Sequence, residues 1–299
     1  MRLTNECNFF SQPHSIFIPQ HESVMKIKNK YSFKDGNQIW RILLSTTEKV
    51  IVETRDTNKK EAFYNCLDLN TGKKIFKGLQ LDEKYWIGVE TIYKDIIFFH
   101  KYTKPDMPGH QQVIAFDINT QKVLWTNEDY SFLFVVDDKV FCFVQQFEGR
   151  KYFTLDLMTG ELIKELDITE EEIIRLNDIY ENEKKYSNYI FPERFDSQTV
   201  DNPKVASLIE QHTKEVEIVG DIEYAFSKDA LIFNLHHKII GDSLMNKLFT
   251  YDLSSGKKIY EEILDADANG FVPDSFFIYK NLLFILKEKS VLLVCEIIN

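Results

Sequence analysis

Tyr64-Asn65-Cys66-Leu67-Asp68-Leu69-Asn70-Thr71-Gly72 is a strand-like run ending in Asp, followed by a turn that carries Thr and Gly. The pattern returns as Ile114-Ala115-Phe116-Asp117-Ile118-Asn119-Thr120-Gln121, as Phe153-Thr154-Leu155-Asp156-Leu157-Met158-Thr159-Gly160 and as Phe249-Thr250-Tyr251-Asp252-Leu253-Ser254-Ser255-Gly256. An Asp side chain accepts backbone N–H groups across such a turn, and Gly takes the φ > 0 position that closes it. Each copy is therefore read as a β-hairpin. Small residues (Cys66, Ala115, Thr154, Thr250) stand two before the Asp and bulky ones (Leu67, Phe116, Leu155, Tyr251) one before it. Side chains alternate between the faces of a strand, so one face is thin and the other filled, as closely stacked sheets require.

The four aspartates are separated by 49, 39 and 96 residues, the last being two periods of 48. A period of about 40 to 50 residues with four strands per unit is the signature of a β-propeller. Glu296, 44 residues after Asp252, holds the same position in a last copy that lacks its outer strand. The N-terminal strand around 24–33 is expected to supply that strand and close the ring, leaving no unpaired edge.

Within the second copy the strands are predicted at 86–93, 95–102, 111–118 and 122–126, and the third copy runs from 131 to 168 in the same order. The doubled interval holds an irregular segment, 169–215. Thr169-Glu170-Glu171-Glu172 fits a helix capping box, and Asn202-Pro203 opens a second short helix over 204–212. The expected fold class is all-β. It is a single propeller domain with an N-terminal segment (1–36), three blades (37–168), the insertion (169–215) and the remaining blades (216–299). Blades number five, or six if the insertion is a decayed blade.

The 299 residues carry 36 Lys+Arg against 47 Asp+Glu, a formal charge of −11, and 44% are hydrophobic. Such a composition folds, and at this length a compact chain hides about 75% of the surface it exposes unfolded. Nucleic acid binding needs a basic stripe, whereas Lys73-Lys74 and Lys257-Lys258 are scattered pairs within an acidic total. The longest apolar runs, 132–136 and 282–286, fall far short of the roughly 20 residues of a spanning helix. Met1-Arg2-Leu3-Thr4-Asn5-Glu6-Cys7 lacks the apolar stretch of a secretory signal. Cys7, Cys66, Cys142 and Cys295 have no CxxC spacing, and three lie in apolar strand-like runs. The expectation is a cytoplasmic chain with free thiols, with neither nucleic acid nor membrane as partner.

The Asp-x-x-Thr-Gly turns resemble the repeat of the PQQ-type, quinoprotein-like propellers, whose consensus runs roughly Ala-x-Asp-x-x-Thr-Gly-x-x-x-Trp. The match is clearest from Ile114 to Trp125, and about four copies carry it. The chain as a whole, with Ile39-Trp40-Arg41-Ile42-Leu43, the 100–110 segment and Ile222-Glu223-Tyr224, resembles the bacterial family domain of unknown function 4905. The first resemblance implies a fold, and neither implies a chemistry. The consensus Trp, which locks neighbouring blades in the quinoproteins, stands only at Trp125; Phe76, Lys164 and Tyr260 hold the equivalent places. The adjacent cysteine pair of many quinoprotein dehydrogenases is absent from the sequence. PQQ-dependent dehydrogenase activity is therefore not expected, and no cofactor is predicted.

In a propeller the turns after the third strands lie opposite the loops joining second to third strands. The latter face would collect 100–110, the loop after His236-His237 and the insertion, making it the expected binding face. His100, Asp106 and His110 offer two imidazoles and a carboxylate, a common metal-ligand set. Their spacing matches no short metal motif, so the sequence reading makes His100 a strand end, Asp106 part of a stiff surface turn, and predicts no metal. His236 and His237 alternate in facing, so at most one points inward. Glu90 and Glu223, each on an inner strand, would line a polar channel or, with a raised pKa, serve as general acid or base. Arg194 would hold an anionic ligand or pair with Asp196 or Glu193. Gly-rich phosphate loops and Gly-x-Ser-x-Gly elbows are absent. The functional expectation is a non-catalytic binding or scaffold module for a protein or small ligand at Glu90, His100, Asp106, His110, Arg194, Glu223 and His236. The alternative is a hydrolase or lyase working at the channel mouth.

Overall fold

The computed structural model describes residues 25–298 except 105–106, 182–185, 199, 201, 240 and 242. Strand β1 (Lys26–Phe33) comes first. Sheet I follows with β2 (Gln38–Leu44), β3 (Lys49–Asp56), β4 (Glu61–Asp68) and β5 (Lys74–Leu79). Sheet II comprises β6 (Ile87–Tyr93), β7 (Ile96–Lys104), β8 (Met107–Asp117) and β9 (Lys122–Asn127). Sheet III comprises β10 (Ser131–Val136), β11 (Lys139–Gln146), β12 (Gly149–Asp156) and β13 (Leu162–Leu166). The insertion then gives helix α1 (Glu170–Ile179), short strands β14 (Tyr189–Ile190) and β15 (Glu193–Arg194), and helix α2 (Pro203–Glu210). Sheet IV contains β16 (Glu223–Ser227), β17 (Ala230–Lys238), β18 (Leu244–Asp252) and β19 (Lys257–Ala268), and sheet V contains β20 (Phe276–Tyr279), β21 (Leu282–Lys287) and β22 (Val291–Ile298). Strand β1 pairs antiparallel with β22 and completes sheet V, as the position of Glu296 requires.

The sheets stack through apolar clusters shared by neighbours, in the order III, II, I, V, IV. At the I–II contact the small Cys66 meets the bulky Phe116, and at the II–III contact Ala115 meets Leu155. The thin face of each sheet thus receives the filled face of the next. Strands β3, β17 and β21 are buried along most of their length, the mark of strands covered on both faces. Sheets III and IV each keep one face without a sheet neighbour, and helices take those places. Ile173 of α1, with Tyr180 just beyond it, packs on Phe134 and Tyr152; Val205, Leu208 and Ile209 of α2 pack on Phe233 and Phe249. Thr169 and Glu172 form the capping box, and Asn202 caps α2 with Pro203 in its first turn.

Each Asp turn is built as its sequence implies. Asp68 Oδ1 accepts the backbone N–H and hydroxyl of Thr71, and Asp117 Oδ2 accepts the same pair from Thr120. Gly72, Gly160 and Gly256 adopt φ of 69°, 70° and 71°, with Gln121 at 56° in the one copy lacking Gly. The residue after the Asp donates its N–H to the turn between first and second strands: Leu69 to Glu48, Ile118 to Asp95, Leu253 to Asp229 and, after Glu296, Ile297 to Asn281.

The consensus-Trp position shows why these turns matter. Trp125 of sheet II donates its indole N–H to the Leu157 carbonyl of sheet III at 2.9 Å, with its ring over Gly160. A Cβ on Gly160 would lie 2.4 Å from that ring. Tyr31 of β1 does the same for sheet I, donating to the Leu69 carbonyl and covering Gly72. Phe76 packs on Phe116 of sheet II and Tyr260 against the IV–V core. Lys164, on sheet III, is exposed, because no sheet follows it.

Trp125→Ala should cost about 3–5 kcal/mol, as emptied aromatic core sites do. Gly160→Ala should also destabilise, while Lys164→Ala should stay within about 0.5 kcal/mol. Denaturant unfolding of the three variants measures this; equal losses at Trp125 and Lys164 would contradict the docking role.

Candidate functional site

The inner strands of sheets I, II and V line a cavity of about 690 Å³ on the axial side of those three sheets, through β2 (residues 39–44), β6 (Glu90, Thr91, Ile92) and β20 (Phe277). Pro273 and Asp274 close one side, and the insertion contributes Tyr186, Tyr189 and Phe191. The insertion reaches this place by adding strands to exposed inner edges. β14 pairs with β20 (Tyr189 opposite Tyr279), and β15 pairs with β16 (Arg194 opposite Glu223). Tyr189, Phe191 and Phe277 form an aromatic group with ring centroids 5.5 to 6.2 Å apart.

β-Bulges aim residues along the inner strands. Pairing shifts by one residue at Trp40 in β2, at Glu90 in β6 and at Leu133 in β10. The start of β6 is fixed by a buried side chain from sheet I. Arg55 pairs with Glu53, donates to the carbonyls of Tyr85 and Ile87, and lies between the Trp40 and Tyr85 rings. Arg41 donates to the Val89 carbonyl next to Glu90.

Glu90 faces two imidazoles. Its Oε1 is 2.8 Å from His110 Nδ1 and 2.9 Å from His100 Nδ1. The His100 approach lies outside hydrogen-bond geometry, and neither of its ring nitrogens has a hydrogen-bond partner among the described residues, although the side chain is 1% exposed. The two imidazoles stack with centroids 3.5 Å apart and planes 8° from parallel, and Tyr102 meets both edge-on. Gly88 makes room, since a Cβ there would lie 2.8 Å from His100 Cε1. Burial alone would raise the Glu90 carboxyl, but the facing imidazoles outweigh it and hold the group down at about 2. Burial keeps His100 below the usual imidazole range despite that carboxylate. A carboxylate facing two imidazole nitrogens and kept ionised can orient an imidazole or ligate a cation.

The sequence placed 100–110 in a loop, whereas β7 and β8 carry their pairing to Lys104 and Met107, with Tyr102 opposite His110. His100 is thus mid-strand, and Thr103 donates to the Gly109 carbonyl to continue the hairpin. Asp106 lies outside the described residues. Glu223 does not line the cavity with Glu90: its Oε1 accepts the Asp274 N–H at 2.9 Å, and burial raises its pKa. Arg194 pairs with Asp221 at 2.9 Å, because β15 runs beside β16 and faces the residues leading into it. His236 is buried and His237 is not, as alternation requires. Its Nε2 accepts the Val272 N–H and its ring meets Phe271, away from the axial cavity. Sequence reasoning did not assign Trp40, Arg41, Gly88, Tyr102, Tyr186, Tyr189 and Phe191 to a site. The aromatic density of 186–191 was the one legible signal.

Residues 44–125 match the family described as a domain of unknown function, 4905, a span that contains Glu90, His100 and His110. Nothing among curated proteins matches the chain. Among solved structures the chain is similar to a europium-containing methanol dehydrogenase, at 13% identity and TM-score 0.30, covering 88% of this chain and 52% of the other. The chain therefore spans about half the length of that protein. It is also similar to an uncharacterized protein from Listeria monocytogenes EGD-e (12% identity, TM-score 0.33) and to Hsv2 of Kluyveromyces lactis (10%, 0.28), each covering 84% of this chain and 75% of the other.

Burial pulls His236 down to about 4, so the folded state keeps it neutral where the unfolded chain, with an ordinary imidazole, is protonated. Between the two values the unfolded state binds more protons, and stability falls as pH drops from about 6.5 to about 4. His236→Gln keeps an acceptor for Val272 and should remove on the order of 2 kcal/mol of that acid sensitivity. Denaturant midpoints of both proteins across this range test it. Parallel curves would show that His236 does not titrate differently on folding.

Proposed function

We propose that this chain is a non-catalytic binding module of the cytoplasm whose receptor site is the axial cavity, and that its ligand is a planar, partly apolar small molecule. The observation that carries this reading is the cavity's lining. Its 690 Å³ falls within the roughly 300–1,000 Å³ of small-molecule sites, and aromatic side chains from three separate parts of the chain meet there beside Arg41, Glu90 and Asp274. Rings at Trp40, Tyr189, Phe191 and Phe277 offer stacking surfaces, and a few polar groups suffice to orient a ligand.

Trp40 is 52% exposed and Phe191 51%, large apolar groups that the core does not need and a ligand would cover. The insertion supports the same reading, since it forms part of the cavity wall where a plain propeller would leave its channel open. Free, buried Cys66, Cys142 and Cys295 suit a reducing compartment, and no helix among the described residues is long and apolar enough to cross a membrane.

A panel of planar small molecules, screened by thermal shift on the full chain, should yield ligands whose affinity drops at least about tenfold in Trp40→Ala and in Phe191→Ala, the scale of one lost aromatic contact. Both residues are exposed enough for the variants to fold. Ligands indifferent to both changes, or a panel without binders, would argue against the cavity as receptor.

A further inference from the structure

His100 has both ring nitrogens buried and unpartnered among the described residues, in a structure whose other buried histidine, His236, finds a donor for one nitrogen. An imidazole must place one N–H and one lone pair, and leaving them unmet in a core costs about 1–3 kcal/mol per group. Its Nδ1 nevertheless lies 2.9 Å from the oxygen that His110 Nδ1 also faces. Hydrogen bonding to Glu90 explains His110 but leaves His100 unserved. What satisfies all three groups is a single positive centre at their focus.

We infer that Glu90 Oε1, His100 Nδ1 and His110 Nδ1 form a binding site for one divalent first-row transition metal ion at the wall of the axial cavity. The three donor atoms lie within 4.8 Å of one another. In a tetrahedral zinc site, bonds of about 2.0–2.1 Å put ligand atoms roughly 3.3 Å apart, so on binding the donors spread from 2.8–2.9 Å and the two rings tilt out of their parallel stack to aim both lone pairs at one ion. Two imidazoles and a carboxylate suit zinc and its neighbours rather than calcium or magnesium, which prefer all-oxygen shells. The site is built on three adjacent strands of one sheet. Strand alternation puts Glu90 on the face of Gly88 and His100, Gly88 leaves space for the His100 ring, and Ser131 Oγ donates to the His110 carbonyl, fixing β8 against β10. Three protein ligands leave a fourth position for water or an exogenous donor, and Glu90 also lines the cavity, so that position would lie beside the proposed ligand. The inference goes beyond that reading and needs metal alone for its test.

The full chain, stripped with chelator, is titrated with zinc by calorimetry and with cobalt by visible spectroscopy. One equivalent is expected in each case, with cobalt d–d bands and no thiolate charge-transfer band. His110→Ala, at a ring 38% exposed, should fold and bind at least about 100-fold more weakly, and Gly88→Ala, which displaces His100 without removing a donor, should weaken binding at least about tenfold. Zinc affinity unchanged in His110→Ala, no stoichiometric binding by the wild type, or a thiolate band would each overturn the assignment. Should His110→Ala fail to fold, the wild-type cobalt spectrum and Gly88→Ala still decide between the two outcomes.

Discussion

Every sheet here has two apolar faces, and a sheet with two apolar faces cannot stand alone in water. Each must be covered twice, so the sheets stack face to face in succession, the small residues of one receiving the large residues of the next. Cys66 against Phe116 and Ala115 against Leu155 are successive uses of one rule. The aspartate turns serve the same end at the rim. Their glycines leave a flat place on which Trp125 or Tyr31 from the adjacent sheet can lie, and the carbonyl beside it takes the aromatic's polar hydrogen. Stacking is thus fixed both in the apolar interior and at the polar margin.

The same constraint explains the insertion. A stack has two ends, and the outer faces of sheets III and IV would be wet without α1 and α2. Inner strands also present unpaired N–H and C=O groups toward the axis, and β14 and β15 pair with two of those edges. One segment therefore closes faces with helices and edges with strands, and lines the cavity with aromatic side chains. The cavity lies against the three middle sheets of the stack, I, II and V, and its wall draws on parts of the chain 237 residues apart, from Trp40 to Phe277.

The histidine cluster follows from strand alternation and register. Residues two apart on a strand share a face, so Glu90 stands on the face of Gly88 and of His100 opposite it. The continued β7–β8 pairing sets His110 opposite Tyr102 and so on that face too, back over His100. Low exposure then makes their mutual charges matter: Glu90 stays ionised and His100 neutral.

Sequence alone determined what is local and periodic. The Asp turns, the thin and filled faces, the place of Glu296, the pairing of β1 with β22 and the helix caps at Thr169 and Asn202 all follow from hydrogen-bonding capacity and a side-chain period of two, properties each residue carries with it. His100 and His110 were legible as metal-binding residue types, but with Asp106 as their partner, because proximity in the chain was the only proximity available. Tertiary structure decided the partner: Glu90 is ten residues from His100 along the chain and 2.9 Å away in space because the β6–β7 register sets Gly88 opposite His100 and Glu90 shares the face of Gly88. It also separated Glu223 and Arg194 from the cavity and placed the 186–191 aromatics within it. Such placements depend on strand register and on which sheet edges remain to be covered. No residue encodes those by itself; they exist only once the sheets have stacked.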